Sequence, residues 1–389
     1  MIAVGFVYRQ DLLRFRKLKV VRTYAGLSQK KSHLLDRGDQ LRKALSHFQN
    51  MRMECGVEGE LAVYRAANGY FPICIHSKVD MISDRIRQYG VWDDCEDLVW
   101  FLWNEFEGGP GGGGYHRERG KLSIMDVGAN IGSCSIRLAL LGHTVLSFEP
   151  DESNYKLFER SIQLNNLSDS LLIIKAGASD IRGEGSLVVE KGNAGNAVIV
   201  PQQSTDNELS RIKELVRSVE NSTFSYPYPV SLVRLEPYIR DLGRVHLLKL
   251  DCQGCELAAL RGADASLAAG RVRSVVVEFS PAHLRAAGED PAGLLEALAA
   301  HGFTVSTLVM GTHVPPQEFR DFAGRRNSAP IMLHGRHASI VAGVPTAQRR
   351  LTWTLCGAAA AAGAATAAWI FRRRREGRDS LGARGKRRD

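Results

Sequence analysis

The sequence predicts an α/β protein with a doubly wound, mostly parallel sheet, and three observations support that fold class. From residue 121 onward, short apolar segments alternate with amphipathic segments of helical spacing. A glycine-containing turn, DVGANIG at residues 126–132, follows the first apolar segment and opens the first helical one. The next apolar segment ends in an acidic residue, Glu149, which follows Gly128 by 21 positions. Strands that alternate with helices are typical of βαβ units, whose parallel sheet is buried on both faces.

The elements follow one another in a regular order along the chain. Strands are predicted at 121–127, 144–150, 171–179, 245–251 and 272–280, with a closing pair at 302–309 and 329–335. Helices are predicted between them at 133–142, 152–166, 255–262 and 290–301. Residues 183–230 interrupt the repeat with Gly, Asn, Ser and Pro, and we expect an insertion of that length to carry a hairpin and a function.

Three further segments precede this repeat. VYRAANGYFPICIH at residues 63–76 predicts a hairpin, and residues 78–106 predict helices. The run EGGPGGGG at 107–114 predicts a flexible spacer. We accordingly divide the chain into a basic, partly helical N-terminal extension (1–69), a main domain (70–340) and a C-terminal segment (341–389).

The composition is that of an ordinary globular protein, with 44% hydrophobic and 24% charged residues in a chain of 389. The net charge of +9 is concentrated at the ends, because residues 1–43 and 372–389 are both strongly basic. The rest of the chain is therefore mildly acidic, which argues against a nucleic-acid-binding core. The seven cysteines are odd in number and irregularly spaced, so we expect reduced thiols in a reducing compartment.

The C-terminal segment contains 21 consecutive uncharged residues, 351–371, flanked by arginines. As a helix this stretch would be about 31 Å long, enough to cross the core of a bilayer. Because 11 of its residues are Ala or Gly, an Ala-rich soluble helix or a disordered tail is the alternative. We predict membrane contact through residues 351–375, with the main domain in the cytoplasm, since no secretory signal is evident at the N-terminus.

The turn at residues 126–132 suits a nucleotide ligand, because glycines admit a ligand close to the backbone and the next helix presents free N–H groups. The dinucleotide motif G-x-G-x-x-G needs glycines at 128, 130 and 133, where this sequence has Gly128, Asn130 and Ser133. S-Adenosylmethionine fits better, because an acidic strand end such as Asp126 suits its amine, directly or through water. A packing turn without a ligand is the remaining interpretation.

The motif series DVGANIG, FEP, LLKLDCQGCELAALRGA and VVVEF, in this order, resembles the FkbM family of S-adenosylmethionine-dependent methyltransferases. The likeness covers residues 70–335 and includes SKVDMISDRIRQYGVWD. It implies a class I methyltransferase (Rossmann-like) fold, with a seven-stranded sheet whose last strand is antiparallel. It also implies methyl transfer, usually to a hydroxyl oxygen.

The same resemblance assigns roles to individual residues. It implies that Glu149 contacts the cofactor ribose and that Asp180 lies near the adenine. It matches residues 249–256 to a K-x-D-x-E-G-x-E stretch, in which Gln253 stands where the family commonly has Glu. If that Glu is catalytic or binds an ion, this protein is altered or inactive in that role. The residues placed on the cofactor loop are Asp126, Gly128, Ala129, Asn130 and Gly132.

Two acidic residues end consecutive predicted strands, on the side where open α/β sheets bind their ligands. Asp251 ends the fourth strand and Glu278 lies at the end of the fifth. Methyl transfer to oxygen needs a positioned acceptor and usually a base for its proton. Asp251 is therefore the first candidate for base or orienter, with Glu278 facing the same cleft and Lys249 as its partner. The alternatives are a structural Lys249–Asp251 ion pair and, for Glu256, an acid that stabilises a helix N-terminus.

Cys252-Gln-Gly-Cys255 leaves a second enzyme class open. A C-x-x-C at a helix start is typical of reactive thiols, so a thiol oxidoreductase is an alternative. Two cysteines that fill small positions are the simpler interpretation, and a single C-x-x-C lacks the ligands of a zinc site. We interpret His334 and His337 as residues at which the chain leaves the last strand, and we predict no metal site.

Together these patterns predict an S-adenosylmethionine-dependent methyltransferase that acts on a hydroxyl of a small molecule, a glycan or a lipid, and not on nucleic acid. The alternatives are an NAD(P)-dependent oxidoreductase on a Rossmann-type sheet and a non-catalytic S-adenosylmethionine-binding module tethered to a membrane. The last strand separates the first two, because methyltransferases insert it antiparallel whereas a dinucleotide-binding sheet ends parallel. The sequence determines neither the acceptor nor the oligomeric state.

Overall fold

The computed structural model describes residues 54–56, 59–66, 69–106, 121–190, 193–201, 227–308, 311–325 and 331–337. The predicted spacer at 107–114 and the uncharged stretch at 351–371 lie outside these residues, as do both basic ends of the chain. None of the helices within the described ranges combines the length and the apolar character that crossing a membrane requires.

A hairpin and two helices precede the main sheet. They are β1 (Gly59–Ala66), β2 (Gly69–His76), α1 (Met81–Tyr89) and α2 (Asp93–Phe106). The hairpin is antiparallel and its pairing runs from Gly59 opposite His76 to Ala66 opposite Gly69. The predicted domain boundary between residues 69 and 70 falls inside this hairpin and is therefore wrong. The reason is that β1, which the prediction assigned to the N-terminal extension, is hydrogen-bonded to β2 of the main domain.

From residue 123 onward, strands and helices alternate. The first group is β3 (Ser123–Val127), α3 (Ser133–Leu140), β4 (Thr144–Phe148), α4 (Glu152–Leu164) and β5 (Leu171–Ile174). Four strands follow: β6 (Gly177–Ala178), β7 (Gly183–Glu190), β8 (Asn193–Pro201) and β9 (Tyr228–Val233). The last group is α5 (Glu236–Leu242), β10 (Val245–Leu250), α6 (Glu256–Arg261), α7 (Asp264–Ala268), β11 (Val272–Phe279), α8 (Pro281–Ala286), α9 (Pro291–Ala300), β12 (Phe303–Thr307), α10 (Phe319–Arg325) and β13 (Ile331–His337).

Seven strands form the central sheet, in the order β12-β13-β11-β10-β3-β4-β5. Neighbours from β11 to β5 are parallel, whereas β13 runs antiparallel to both β11 and β12, between which it lies. This inserted antiparallel strand distinguishes the class I methyltransferase fold from a dinucleotide-binding sheet. The predicted fold class is confirmed. His334 and His337 lie inside β13 and not beyond it, because the pairing with β12 continues to His337.

The insertion predicted at 183–230 contributes to a second, four-stranded sheet with the order β6-β9-β7-β8. Strands β7 and β8 form the expected hairpin. The single strand predicted at 171–179 is divided, because the chain turns after Ile174 and β6 pairs with β9 instead of continuing along β4. The apolar run at 171–179 therefore contributes one strand to each of two sheets, and its hydropathy pattern does not reveal this division.

Helices cover both faces of the central sheet, which explains why its strands are continuous apolar runs. One core includes buried residues of α2, α3, α4 and the β1–β2 hairpin, with Phe158 of α4 fully buried. The other includes residues of α5, α6, α9 and α10, with Phe279 of β11 fully buried. With both faces closed, the carboxyl ends of the strands are the accessible place for a site.

Six cysteines within the described residues form three disulfides, Cys55–Cys74, Cys95–Cys134 and Cys252–Cys255. The expectation of reduced cysteines, some of them merely filling small positions, is therefore wrong. The first two pairs join residues 19 and 39 positions apart. Their proximity arises from packing between separate elements, such as α2 against α3, and leaves no regular spacing in the sequence.

Candidate active site

Two glycines of the 126–132 turn are required by the packing of the protein itself. Gly128 and Gly132 have φ angles of 77° and 80°, in the left-handed region that glycine adopts without strain. A Cβ atom at Gly128 would lie 1.8 Å from the carbonyl oxygen of Asp251, and one at Gly132 would lie 2.0 Å from the ring of Phe158. The close approach that we attributed to a ligand therefore has a packing reason, whether or not a ligand binds.

Glu149 holds this turn against the end of β4. Its Oε2 accepts the backbone N–H of Asn130 at 2.7 Å, and its Oε1 accepts that of Asp151 at 2.9 Å. Asn130 has a φ angle of 52°, a left-handed conformation that Asn tolerates better than most residues. The neighbouring Ala129 is buried and its N–H donates to the Phe148 carbonyl at 3.0 Å. The structure thus brings the turn and the predicted ribose-binding carboxylate into direct contact.

The Glu149 carboxylate retains capacity for a further hydrogen bond. It is 4% exposed and also accepts a 3.4 Å hydrogen bond from Asn154 Nδ2. A carboxylate has about four acceptor positions, so the three protein donors leave one over. Burial raises the pKa of Glu149 to about 7, against the lowering effect of these donors. A ligand hydroxyl that donates to this group would relieve part of the cost of its burial.

Beneath the turn, Lys249 lies between two carboxylates. Its Nζ is 3.0 Å from Asp126 Oδ1 and 3.2 Å from Asp251 Oδ2. Burial disfavours the charged form of Lys249, but Asp126 and Asp251 outweigh this and raise its pKa above the usual value. The second oxygen of Asp126 accepts the Ser135 hydroxyl at 2.6 Å. The predicted Lys249–Asp251 pair is present, and it extends to Asp126, which is fully buried below the turn.

The segment that follows β10 is a tight turn closed by the Cys252–Cys255 disulfide. Gln253 and Gly254 have φ angles of 56° and 110°. Glu256 folds back onto this turn, and its Oε1 accepts the N–H of Cys252 at 3.0 Å while its Oε2 accepts that of Gly254 at 3.0 Å. Glu256 therefore satisfies backbone donors of the turn before α6, and it is also the acidic first residue of that helix, as its structural interpretation requires.

Gln253 connects the two predicted catalytic carboxylates. Its Nε2 donates to Asp251 Oδ1 at 3.2 Å and to Glu278 Oε2 at 2.7 Å. Burial, followed by the charges of Asp251 and Glu256, raises the pKa of Glu278 well above its usual value. Asp251, Glu278 and Lys249 thus form one cluster at the carboxyl ends of β10 and β11, as predicted.

Asp180 differs from the other predicted residues. It is exposed, lies two residues beyond β6, and accepts a 3.2 Å hydrogen bond from the Ser179 hydroxyl. Among the contacts of the described residues, none joins it to the 126–132 turn or to Glu149. Its proposed position near the adenine therefore depends on the resemblance alone.

Sequence reasoning missed a cavity of about 200 Å³ near Glu149. It opens where α1, α4 and the β7–β8 hairpin meet, and Asn154 links it to Glu149, since Asn154 Nδ2 also lies 3.5 Å from the Ala194 carbonyl. No motif indicates it, because its walls come from segments up to 118 positions apart. They are His76, Lys78, Val79, Asp80, Ser153, Glu190 and Ala194.

Comparison with known protein families identifies the central part of the chain. Residues 126–305, from the end of β3 to β12, match the sequence profile of the methyltransferase FkbM domain. This part of the chain, just under half of its length, is similar to the FkbM methyltransferase domain. The match contains every predicted cofactor-binding and catalytic residue. The β1–β2 hairpin and helices α1 and α2 precede it.

Two proteins named as methyltransferases are similar to this part of the chain. Methyltransferase sdnD of Sordaria araneosa is 28% identical over 177 residues, which cover 42% of this chain and 68% of that protein. Methyltransferase 1 of Beauveria bassiana (strain ARSEF 2860) is 26% identical over 146 residues, which cover 36% of this chain and 58% of that protein. Each relative is thus matched over only part of its length.

Among solved structures, the chain is similar to magnesium protoporphyrin IX methyltransferase (ChlM) from Synechocystis PCC 6803, determined with bound SAM. The sequence identity is 13% and the TM-score is 0.34, and the alignment covers 68% of this chain and 86% of that one.

Proposed function

We propose that this FkbM-like domain transfers the methyl group of S-adenosylmethionine to a hydroxyl oxygen of a small molecule, a glycan or a lipid. The observation that carries the proposal is the arrangement around the 126–132 turn. Glu149, with one acceptor position left, lies on one side of this turn, and the Asp251–Glu278 cluster lies on the other. A cofactor held by the turn would have its ribose at the first carboxylate and its reacting end at the second.

The residues present fit this cofactor. Glu149 would hold a ribose hydroxyl, and Asp126, through its Lys249–Ser135 network, would face the methionine end from below. When bound, the cofactor supplies an electrophilic methyl group on a positively charged sulfur. The carboxylates around the turn favour that charge, since opposite charges attract more strongly where water is excluded. Asp180 would complete the pocket at the adenine.

The same carboxylates restrict the acceptor. Asp251 and Glu190 face the cleft and the adjoining cavity, and their negative charges would repel phosphate-rich acceptors. This supports a neutral hydroxylated acceptor over nucleic acid, whose binding depends on positive groups. The paired cysteines favour an oxidising compartment over the predicted cytoplasm, because disulfides persist where thiols are not continually reduced.

The test is calorimetric titration of the full chain with S-adenosylmethionine. Glu149→Gln removes a charged acceptor, and charged hydrogen bonds contribute about 1.5–3 kcal/mol, so we expect the affinity to fall about tenfold or more. Glu159→Gln is the matched control, since Glu159 is exposed on α4 and bonds only Tyr155 among the contacts described, and its affinity should match that of the wild type. No measurable binding by the wild type would refute the proposal. Binding without transfer to any hydroxylated probe would support the non-catalytic alternative.

A further inference from the structure

Neither predicted catalytic carboxylate is well placed to act as a base. Both oxygens of Asp251 are engaged, one by Lys249 at 3.2 Å and the other by Gln253 at 3.2 Å. Glu278 keeps its proton to higher pH, because burial and the adjacent Asp251 raise its pKa. A carboxylate held by an ammonium is a weak base, and a protonated carboxyl is none. Another group must therefore accept the proton of the acceptor hydroxyl.

A histidine that no motif indicates lies against this cluster. His283 is in α8, five residues after Glu278, and its backbone carbonyl packs on the turn that follows β10. A Cβ atom at Gly254 would lie only 2.7 Å from that carbonyl oxygen. The imidazole Nδ1 is buried and has no hydrogen-bond partner among the described residues. Such unsatisfied groups are rare in folded proteins and call for an explanation.

The charges that face His283 come from two other elements. Burial lowers the pKa of the imidazole, and the carboxylates of Asp251, which follows β10, and Glu190, at the end of β7, act in the opposite direction. The imidazole is therefore neutral near neutral pH, while the two carboxylates favour the imidazolium that forms when it takes a proton. Glu190 also lines the cavity of about 200 Å³. One of the two carboxylates that act on His283 therefore lines this cavity, and the other belongs to the cluster at the end of β10.

We propose that His283 is the general base of the methyl transfer, receiving the proton of an acceptor hydroxyl that enters from the Glu190 side. This rests on the function proposed above. The acceptor O–H gives its proton to the imidazole, and the oxygen forms the new bond to the methyl carbon. The carbon–sulfur bond breaks, and its electron pair stays on sulfur, which becomes neutral. The imidazolium then loses its proton to water. The negative charge of Asp251 favours the imidazolium, and Asp251 does not itself take the proton.

The first test needs no acceptor. The imidazole of His283 is titrated by NMR in the full chain, with His283→Gln used to assign its signal. We expect a midpoint below the usual value of 6.5. Asp251→Asn and, separately, Glu190→Gln remove a charge that favours the imidazolium, so each should lower the midpoint, by about one unit for a near neighbour. A midpoint that neither variant moves would overturn the proposal.

The second test compares His283→Gln with His301→Gln, a control in which the histidine pairs with Asp264 away from the site. Labelled S-adenosylmethionine is offered with methyl glucosides, glycerol and phenol as hydroxylated probes. We expect His283→Gln to bind the cofactor like the wild type, to transfer about a hundredfold or more slowly, and to lose the rise of rate with pH. A wild-type rate and pH profile in this variant would overturn the role of His283. A wild type that binds the cofactor and methylates no probe would instead refute the proposed transfer to hydroxyls.

Discussion

Replacing Lys249 with methionine removes the ammonium that lies between Asp126 and Asp251. The side chains of Lys249 and Asp126 are 6% and 1% exposed, so water cannot take over the interaction. Methionine has a similar length and fills the space with an apolar group. The perturbation is therefore mainly electrostatic, because among the described contacts the buried Asp126 carboxylate is left with the Ser135 hydroxyl as its hydrogen-bond donor.

The size of the effect follows from this burial. Removing one partner of a buried ion pair costs about 3–5 kcal/mol, because the other charge stays desolvated. The Asp251 side chain is 27% exposed, so solvent screens its interaction with Lys249. Asp126 therefore accounts for most of the lost free energy of unfolding. Asn at position 126 would relieve the unpaired charge. The double variant Asp126→Asn/Lys249→Met should therefore recover at least about 1 kcal/mol relative to Lys249→Met.

Urea unfolding followed by tryptophan fluorescence measures these differences. Lys156→Met is the control, because Lys156 forms an exposed pair with Glu152 at 3.0 Å, with 69% of the lysine side chain exposed. Such pairs contribute about 0.5 kcal/mol or less. A Lys249→Met protein whose free energy of unfolding lies within about 1 kcal/mol of the wild type would refute the reasoning that a buried charge is left unpaired.

Three further outcomes are expected. Gly132→Ala should lower the free energy of unfolding by about 2–5 kcal/mol, because its φ is positive and its Cβ would clash with Phe158. Gly142→Ala is the control, because Gly142 has a φ of 94° and open space around it, so this variant measures the backbone cost alone, about 1–2 kcal/mol. Equal losses in the two variants would contradict the clash. Burial raises the pKa of Glu149 to about 7, so its contribution to stability is complete below its usual pKa of 4.5 and is lost as the pH rises through 7. Between these two pH values the melting temperature should therefore fall less steeply with pH for Glu149→Gln than for the wild type. Equal slopes in the two proteins would contradict this. Gln253→Glu places a third carboxylate between the two that Gln253 bridges, so this variant should lower the melting temperature more at pH 8 than at pH 5. An equal change at both pH values would show that repulsion between these carboxylates does not affect stability.

The departure at Gln253 has a local explanation in the structure. An amide at this position donates hydrogen bonds to both Asp251 and Glu278. A glutamate there would add a charge next to two carboxyls and supply no donor unless it were protonated. The change that we expected to impair a role of this position thus allows two acidic side chains to remain close together.

Much of the fold could be predicted because it depends on local pattern. The strands β3, β4, β10 and β11 are short runs of apolar residues, and a helix of regular spacing follows each of the first three. The same regularity placed Glu149, Asp251 and Glu278 at strand ends, where the structure has them. Strand β9 and helices α5, α7, α8 and α10 were not predicted, since they are short and carry no strong period.

The sequence by itself determined the parallel sheet and the edge at which the site lies, because hydropathy period and strand order are properties of the chain. Only the tertiary structure decided which groups meet there. Lys249 and Asp126 are 123 positions apart, and His283, Gly254 and Glu190 come from three separate elements. Their contacts, like the disulfides between distant cysteines, depend on how buried surfaces pack, and packing leaves no periodic trace in the order of residues.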